Sequence, residues 1–329
     1  MTYRISEFQL SRSIVASIHA NKQAVGKAGE EVSSGVKVEL PGETTSPGVL
    51  ADLREQLRRA KGFESRISNG RGYLDFQENV LNTVSNVMLR ARELASQGAN
   101  ETFSSEERLK IAEEVFAIRD NIVELANSQY HGRYIYGNAD DDDPPFDPTT
   151  YTQPTSGAAS VRYAFDAEAG TTIARQINIT DTLDITLTTS GDTIFSTIIG
   201  SLESLGRALS GYTTTLSAGV PTGAGTALTL PDQYTVQTTE IANALNLIST
   251  AITTRLEPER ANLAARQTKL DAATSIIENI ADSTEAAIRD IQGADSVQAA
   301  TELSQAQSAL EASYTVSSRI LNLTILDYL

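Results

Sequence analysis

The sequence predicts a mainly α fold: a long antiparallel helical coiled-coil rod built from both chain ends, with a small β-rich domain inserted in the middle. Three observations predict it. Apolar residues keep a seven-residue beat from Leu53 through Ala60, Ile67, Leu74, Leu81 and Met88 to Ala95, the spacing of a coiled-coil seam. A second seam runs through Leu263, Leu270, Ala273, Ile277, Ile280, Thr284, Ala287 and Ile291 near the other end and is its natural partner. Between the two, residues 147 to about 193 alternate apolar and polar positions, which is the period of strands.

Composition supports this division. Aromatics make up only 6% of the 329 residues and tryptophan is absent, which argues against one large globular core. From Thr235 to Ser313 there is no aromatic residue, one glycine (Gly293) and one proline (Pro258), as in long helices of a bundle or coiled coil. The formal net charge is −16, and the stretch from Asp140 to Glu240 carries thirteen acidic residues against three arginines. Such a surface repels phosphate backbones, so no nucleic-acid partner is expected. No run of about 18 apolar residues occurs, so no membrane insertion is expected. Arg12, His19 and Lys22 interrupt the N-terminal segment, leaving no apolar core of a secretory signal; by itself this reads as cytoplasmic. Cysteine is absent, which removes disulfides, thiolate metal sites and a cysteine nucleophile.

The predicted division is an N-terminal assembly helix (1–40), the first half of a helical rod (41–139), a β-rich outer domain (140–235), the second half of the rod (236–293) and a C-terminal assembly helix (294–329). In the first segment Ile14, Ile18, Asn21, Val25, Ala28 and Val32 recur at steps of four and three. Ser33-Ser34-Gly35 is the expected stop, because glycine can take the left-handed conformation just past the last turn. Residues 36–48 hold two prolines and two glycines and read as a connector or short hairpin. One long helix follows from Val49 to about Gln97; Gly62, Gly70 and Gly72 mark a bend or close packing within it. Ser104 and Glu107 form a capping box at the start of the next helix, which runs to about Asn127 with Ile111, Val115, Ile118, Ile122 and Leu125 on its stripe.

Tyr134, Ile135 and Tyr136 alternate as a short strand that leaves the rod. Strands are expected around Val161–Phe165, Ile173–Ile179 and Leu183–Leu187, a short helix over Ile194–Leu209, and a loop over Gly211–Thr226. Helix returns with Ile241, Leu245, Ile248 and Ile252, and Pro258 either kinks it or begins a new one. After Gly293 the terminal helix places Leu303, Ala306, Leu310, Ser313, Ser317 and Ile320 on one stripe, with Ala309, Val316 and Leu323 one position away. Neither terminal helix can bury such a narrow stripe alone. The two are expected to pair and to complete their burial against other molecules.

The N-terminal seam followed by Ser33-Ser34-Gly35-Val36-Lys37-Val38 resembles the helix-end motif of the flagellin family. Glu302-Leu303-Ser304-Gln305-Ala306-Gln307, then Ile320-Leu321-Asn322-Leu323 and Leu326-Asp327-Tyr328-Leu329, resembles that family's closing helix. Where the family typically has a pair of aspartates, residues 44 and 45 are threonines. The string Gly132-Arg133-Tyr134-Ile135-Tyr136-Gly137 followed by Pro145-Phe146, together with the opening Arg4-Ile5-Ser6, resembles the family's hook–filament junction members. The resemblance implies an extracellular part of the bacterial flagellum, exported by the flagellar type III system without a cleaved signal. It further implies a homo-oligomeric ring or helical layer, the other hook-associated junction protein and flagellin as neighbours, and an export chaperone on the C-terminal helix.

No catalytic centre or cofactor is expected. His19 and His131 are far apart in sequence and read as surface or structural residues. Asp140 to Asp143 lack the spaced ligands and turn glycine of a calcium loop and read as a solvated linker. Neither a phosphate-binding glycine loop nor a nucleophile elbow occurs. The expected function is structural, an adaptor that polymerises through Ile14, Ile18, Val25, Val32, Leu303, Leu310, Val316, Ile320 and Leu323. Terminal helices short of burial would gain order only on stacking against neighbours, which restrains premature aggregation. The alternatives are flagellin itself, the main filament subunit, and a cytoplasmic coiled-coil binding module.

Overall fold

The computed structural model describes residues 2–37, 47–137, 142–150, 161–165, 176–180, 183–217, 220–221, 225–230 and 232–326. The chain forms two compact units, residues 63–276 and residues 1–62 with 277–329. Helix order is α1 (Thr2–Ser34), α2 (Pro47–Gly98), α3 (Ser105–Ala126), α4 (Thr197–Leu209), α5 (Tyr234–Ala251), α6 (Glu257–Gln292) and α7 (Ser296–Leu326). Four two-stranded antiparallel hairpins stand among the described residues: β1 (Gln129–Tyr130) with β2 (Arg133–Tyr134), β3 (Phe146–Thr150) with β4 (Val161–Phe165), β5 (Gln176–Thr180) with β6 (Leu183–Thr186), and β7 (Leu216–Ser217) with β8 (Val220–Pro221). The mainly α architecture with a small β-rich region is the one expected.

In the unit of residues 63–276, α2 and α6 run antiparallel. Arg71 pairs with Asp271, Gln267 Nε2 donates to Asp75 (3.1 Å) and Glu78 (2.9 Å), and Arg260 donates to Asn82 (2.6 Å). Along α2, Ile67, Leu74, Leu81, Met88 and Ala95 are buried, as are Leu263 and Leu270 of α6. The heptad residues thus form the seam that the spacing predicts. Gly70 and Gly72 mark close packing: a Cβ there would lie 2.9 Å from the Ile177 side chain and 2.6 Å from the Tyr130 hydroxyl. The two hairpins β1–β2 and β5–β6 sit against α2 at these notches.

Helix α3 starts with the predicted capping box. Glu107 N donates to Ser104 Oγ at 3.3 Å, and Ser104 N donates to the Glu107 carboxylate at 2.8 Å. At its other end Asn127 pairs with both backbone groups of Phe146, accepting from N at 3.0 Å and donating to O at 2.9 Å. A side chain here does what a neighbouring strand would do.

Three expectations are corrected. Tyr134–Tyr136 is not a departing strand. Only Arg133–Tyr134 pairs, across a tight turn in which His131 (φ 53°) and Gly132 (φ 78°) are both left-handed, as a type I′ turn requires. Ile135 and Tyr136 then turn inward and are buried, with Ile135 O accepting from the Tyr73 hydroxyl at 2.9 Å. The second concerns Ile194–Leu209: the short helix expected there forms, but not as part of the β-rich segment with which the sequence grouped it. It forms a π-helical turn (Asp192–Ser196) and then α4, whose residues from Ile198 to Leu209 are all buried, with α4 packed between α3 and α5. Apolar and small residues cover most of this helix, and its one charged pair, Glu203 with Arg207, is buried along with them. The β-rich excursion ends earlier than predicted, at a neck where Gly191 N donates to Tyr136 O at 3.0 Å. The third is Ile280, which is exposed, while Thr284 beyond it is buried. Of the strand expected around Ile173–Ile179, Ile177 and Ile179 lie on β5, while Ile173, the acids Asp140 and Asp141, and Thr44-Thr45 lie outside the described residues. The expected loop over Gly211–Thr226 contains the hairpin β7–β8.

Two buried polar clusters hold the helical core. Arg108 donates to Gln237 Oε1 (2.7 Å) and to Asn100 O (3.2 Å). Gln237 in turn donates from Nε2 to the last carbonyls of α4, Ala208 O and Leu209 O, each at 3.0 Å. Burial lowers the guanidinium's pKa from its ordinary value, though not enough to discharge an arginine. Within α4, Glu203 and Arg207 form a buried pair one turn apart.

Candidate assembly interface

The unit of residues 1–62 with 277–329 contains the predicted assembly residues. Helix α1 stops where the sequence predicts: Gly35 is left-handed (φ 69°) and its N–H donates to Glu31 O at 3.0 Å. The segment after it pairs with the break between α6 and α7. Lys37 N donates to Gln292 O (2.7 Å) and Ala294 N to Gly35 O (2.8 Å), with Val36 bridged to Gly293. These bonds turn α1 and α7 side by side and antiparallel. Asn21 Nδ2 donates to Ala309 O at 3.3 Å, Gly29 faces Leu303, and Lys37 meets Glu302 at 3.8 Å. The small residues Gly29, Ala306 and Ala309 permit this close approach.

The predicted residues divide between two environments. Ile14, Ile18, Val25, Leu303 and Leu310 are half-buried, on the sides where α1 and α7 meet. Val32 and Val316 remain 43% and 51% exposed. Ile320 and Leu323 lie on α7, but their side chains fall outside the described residues. The two groups differ in exposure, although Val316 lines the same α1–α7 groove as Ile14. Sequence reasoning missed three further exposed apolar side chains, Val15, Val297 and Tyr314, of which Val297 is 75% exposed. A single helix shows which residues share a stripe and not which of two adjacent stripes the partner helix covers.

Among the described side chains of α1 and α7, only Ala28, Glu31 and Ala299 are buried. Ser13, Ile14, Ser17 and Asn21 face Ala309, Ala312, Ser313 and Val316 across a shallow groove of about 480 Å³. Aliphatic side chains line the groove together with the hydroxyls of Ser13, Ser17 and Ser313 and the amide of Asn21. His19 is exposed on α1, and His131 is exposed at the tip of β1–β2 in the other unit. Among the described residues no group of three or more histidines and carboxylates could hold a metal ion, and no helix is long and apolar enough to cross a membrane.

Comparison with known proteins matches these same helices. The family model for the bacterial flagellin N-terminal helical region matches residues 5–140, and that for the C-terminal helical region matches residues 245–329. Flagellin FlaB1 of Treponema pallidum is 34% identical over 116 residues, 35% of this chain and 40% of the relative. Flagellar hook-associated protein 3 of Salmonella typhimurium is 28% identical over 152 residues, 45% of this chain and 47% of the relative. The chain thus spans less than half the length of these curated relatives. The crystal structure of FlgL from Xanthomonas campestris superposes with a TM-score of 0.55 at 17% identity, covering 72% of this chain and 100% of that one; the likeness is one of fold. With both helical regions matched in order at the two ends, the chain belongs to the bacterial flagellin family.

Proposed function

We propose that the chain is a structural subunit of the bacterial flagellum, acting as the adaptor at the hook–filament junction. It polymerises through α1 and α7, joins the other hook-associated junction protein on one side and seats flagellin on the other. The observation that carries this reading is the pair α1–α7, two helices of 33 and 31 residues with almost no buried side chains among those described and an aliphatic groove between them. Such a pair lacks the burial needed to offset its ordering entropy, and neighbouring copies would supply it. The junction role is supported by a fold likeness that covers 100% of a FlgL chain and 72% of this one. Export through the flagellar type III system and an export chaperone on α7 belong to the same reading, as does the absence of catalysis.

Flagellin itself is the second reading, favoured by the 34% identity to FlaB1 over the terminal regions. Electron microscopy of a deletion strain separates the two. A junction protein predicts bare hooks with flagellin secreted into the medium and unpolymerised; loss of the main filament protein itself indicates flagellin. A cytoplasmic coiled-coil module, the third reading, predicts a chain that never reaches the medium. Limited proteolysis of the dilute monomer tests the assembly mechanism: residues 1–40 and 294–329 should be trimmed first, and uniform resistance would count against it.

A further inference from the structure

The helical path from α5 into α6 carries one residue too many. Buried positions follow steps of four and three through Gln237, Ile241, Ala244 and Ile248, pass through the adjacent pair Ala251 and Ile252, and resume as Leu256, Glu259 and Leu263. From Ile248 to Leu256 the seam advances eight residues where a step of three and one of four would make seven. A π-helical turn over Ile252–Leu256 absorbs the extra residue and restores the phase. Without it, Arg255, Asn262 and Lys269 would occupy the heptad positions now held by Leu256, Leu263 and Leu270. Pro258, which has no N–H for the carbonyl of Thr254, sits where the wide turn closes.

This wide turn is packed against the other one. The π turn Asp192–Ser196, by which the β-rich excursion returns to α4, contacts Ile252–Leu256. Three groups bind the returning arm to the first turns of α6. Thr189 donates to the Glu259 carboxylate at 2.6 Å, and Arg266 donates to Thr189 Oγ1 at 2.8 Å and to Glu259 at 3.4 Å. Next to them the rings of Tyr136 and Phe146 stand edge-on to Phe195, with centroids 4.8 and 6.2 Å away. The neck bond Gly191 N to Tyr136 O closes the cluster.

We propose that the extra residue builds a joint: the two π turns, with Thr189, Glu259 and Arg266, lock the neck of the β-rich excursion onto α6. The excursion is then held in one orientation instead of hanging from two free strands. The α2–α6 seam itself does not need the extra residue; the joint does.

A one-residue deletion therefore makes a sharp test, since deletions inside a seam ordinarily destroy it. Deleting Thr253 together with Pro258→Ala turns the path into an uninterrupted α-helix with its heptads in phase. The full chain should fold, with amide exchange in α6 around Leu263 and Leu270 within about twofold of the parent. Exchange in peptides spanning residues 187–195 should rise at least tenfold. Thr189→Val, which leaves both π turns and removes only the hydroxyl, should raise it severalfold. Deleting Ala264 instead puts Leu270 out of phase and should unfold the seam. The joint is overturned if the Thr253 deletion folds with the neck as protected as before. It is equally overturned if that deletion unfolds the chain as the Ala264 deletion does.

Discussion

Helix α4 and helix α1 mark the two extremes of burial in this protein. Every residue of α4 from Ile198 to Leu209 is buried, whereas α1, more than twice as long, buries only Ala28 and Glu31 among its described side chains. The difference lies in how apolar groups are distributed around the helix. Apart from Glu203 and Arg207, which pair with each other one turn apart, TIIGSLESLGRAL carries only small, hydroxyl and aliphatic side chains, and the core takes in its whole circumference. Helix α1 has a single narrow stripe, which α7 covers in part, and its remaining apolar side chains stay open. One unit closes its core within the chain; the other leaves an unfinished pair.

The most severe way to test this contrast is to remove equivalent aliphatic groups from both units. Leu202→Ala, at a fully buried position of α4, should cost the monomer about 3 kcal/mol in denaturant unfolding. Val316→Ala, at an exposed position of α7, should change monomer stability by less than about 0.5 kcal/mol while raising the concentration needed for polymerisation. Similar losses in the two monomers would erase the distinction.

Gln237→Ala should follow, at roughly 2 kcal/mol, because Arg108 and the last two carbonyls of α4 lose a buried partner together. A smaller effect is expected at the neck. Asn127→Ala removes both bonds to the Phe146 backbone and should cost about 1–2 kcal/mol, with hydrogen exchange rising first in β3. Ser104→Ala should have the smallest effect, about 1 kcal/mol, read in thermal unfolding of the unit of residues 63–276.

The same capping box has a defined pH signature. Hydrogen bonds from the Ser104 backbone N–H and hydroxyl hold the Glu107 carboxyl below its ordinary pKa. A carboxyl lowered in the folded state stabilises above its unfolded pKa of about 4.3 and loses that contribution as pH falls through the folded value. Ser104→Ala removes the hydroxyl's bond to the carboxylate, which weakens on protonation, and the bond that Ser104 Oγ accepts from Glu107 N, which does not. The difference between parent and Ser104→Ala should therefore shrink in acid without vanishing; a difference that did not change with pH would take the carboxylate out of the cap.

Much of this molecule is legible in local pattern. The Leu53-to-Ala95 beat, the Ser104 cap, the Gly35 stop and the Gly293 break all appear where the spacing places them, since each depends on residues within a few turns of one another. The divided assembly face was only half legible. The stripes of α1 and α7 could be drawn, but Val316 is open and Leu310 half-covered because of how closely the small residues let the two helices approach. The π turn had a signal, the eight residues from Ile248 to Leu256 where the seam needs seven. Reading it requires knowing beforehand which residues face the core.

By itself, the sequence determined helix lengths, their ends and their seams, because backbone hydrogen bonding and side-chain periodicity are short-range. Only the tertiary structure decided that α4 lies at the centre, that Tyr136 turns inward, and that two wide turns meet at the neck. Those outcomes depend on contacts between residues separated by tens of positions. Read alone, Glu203 and Arg207 mark a solvent-facing side of α4; only their pairing inside the core lets that side be buried.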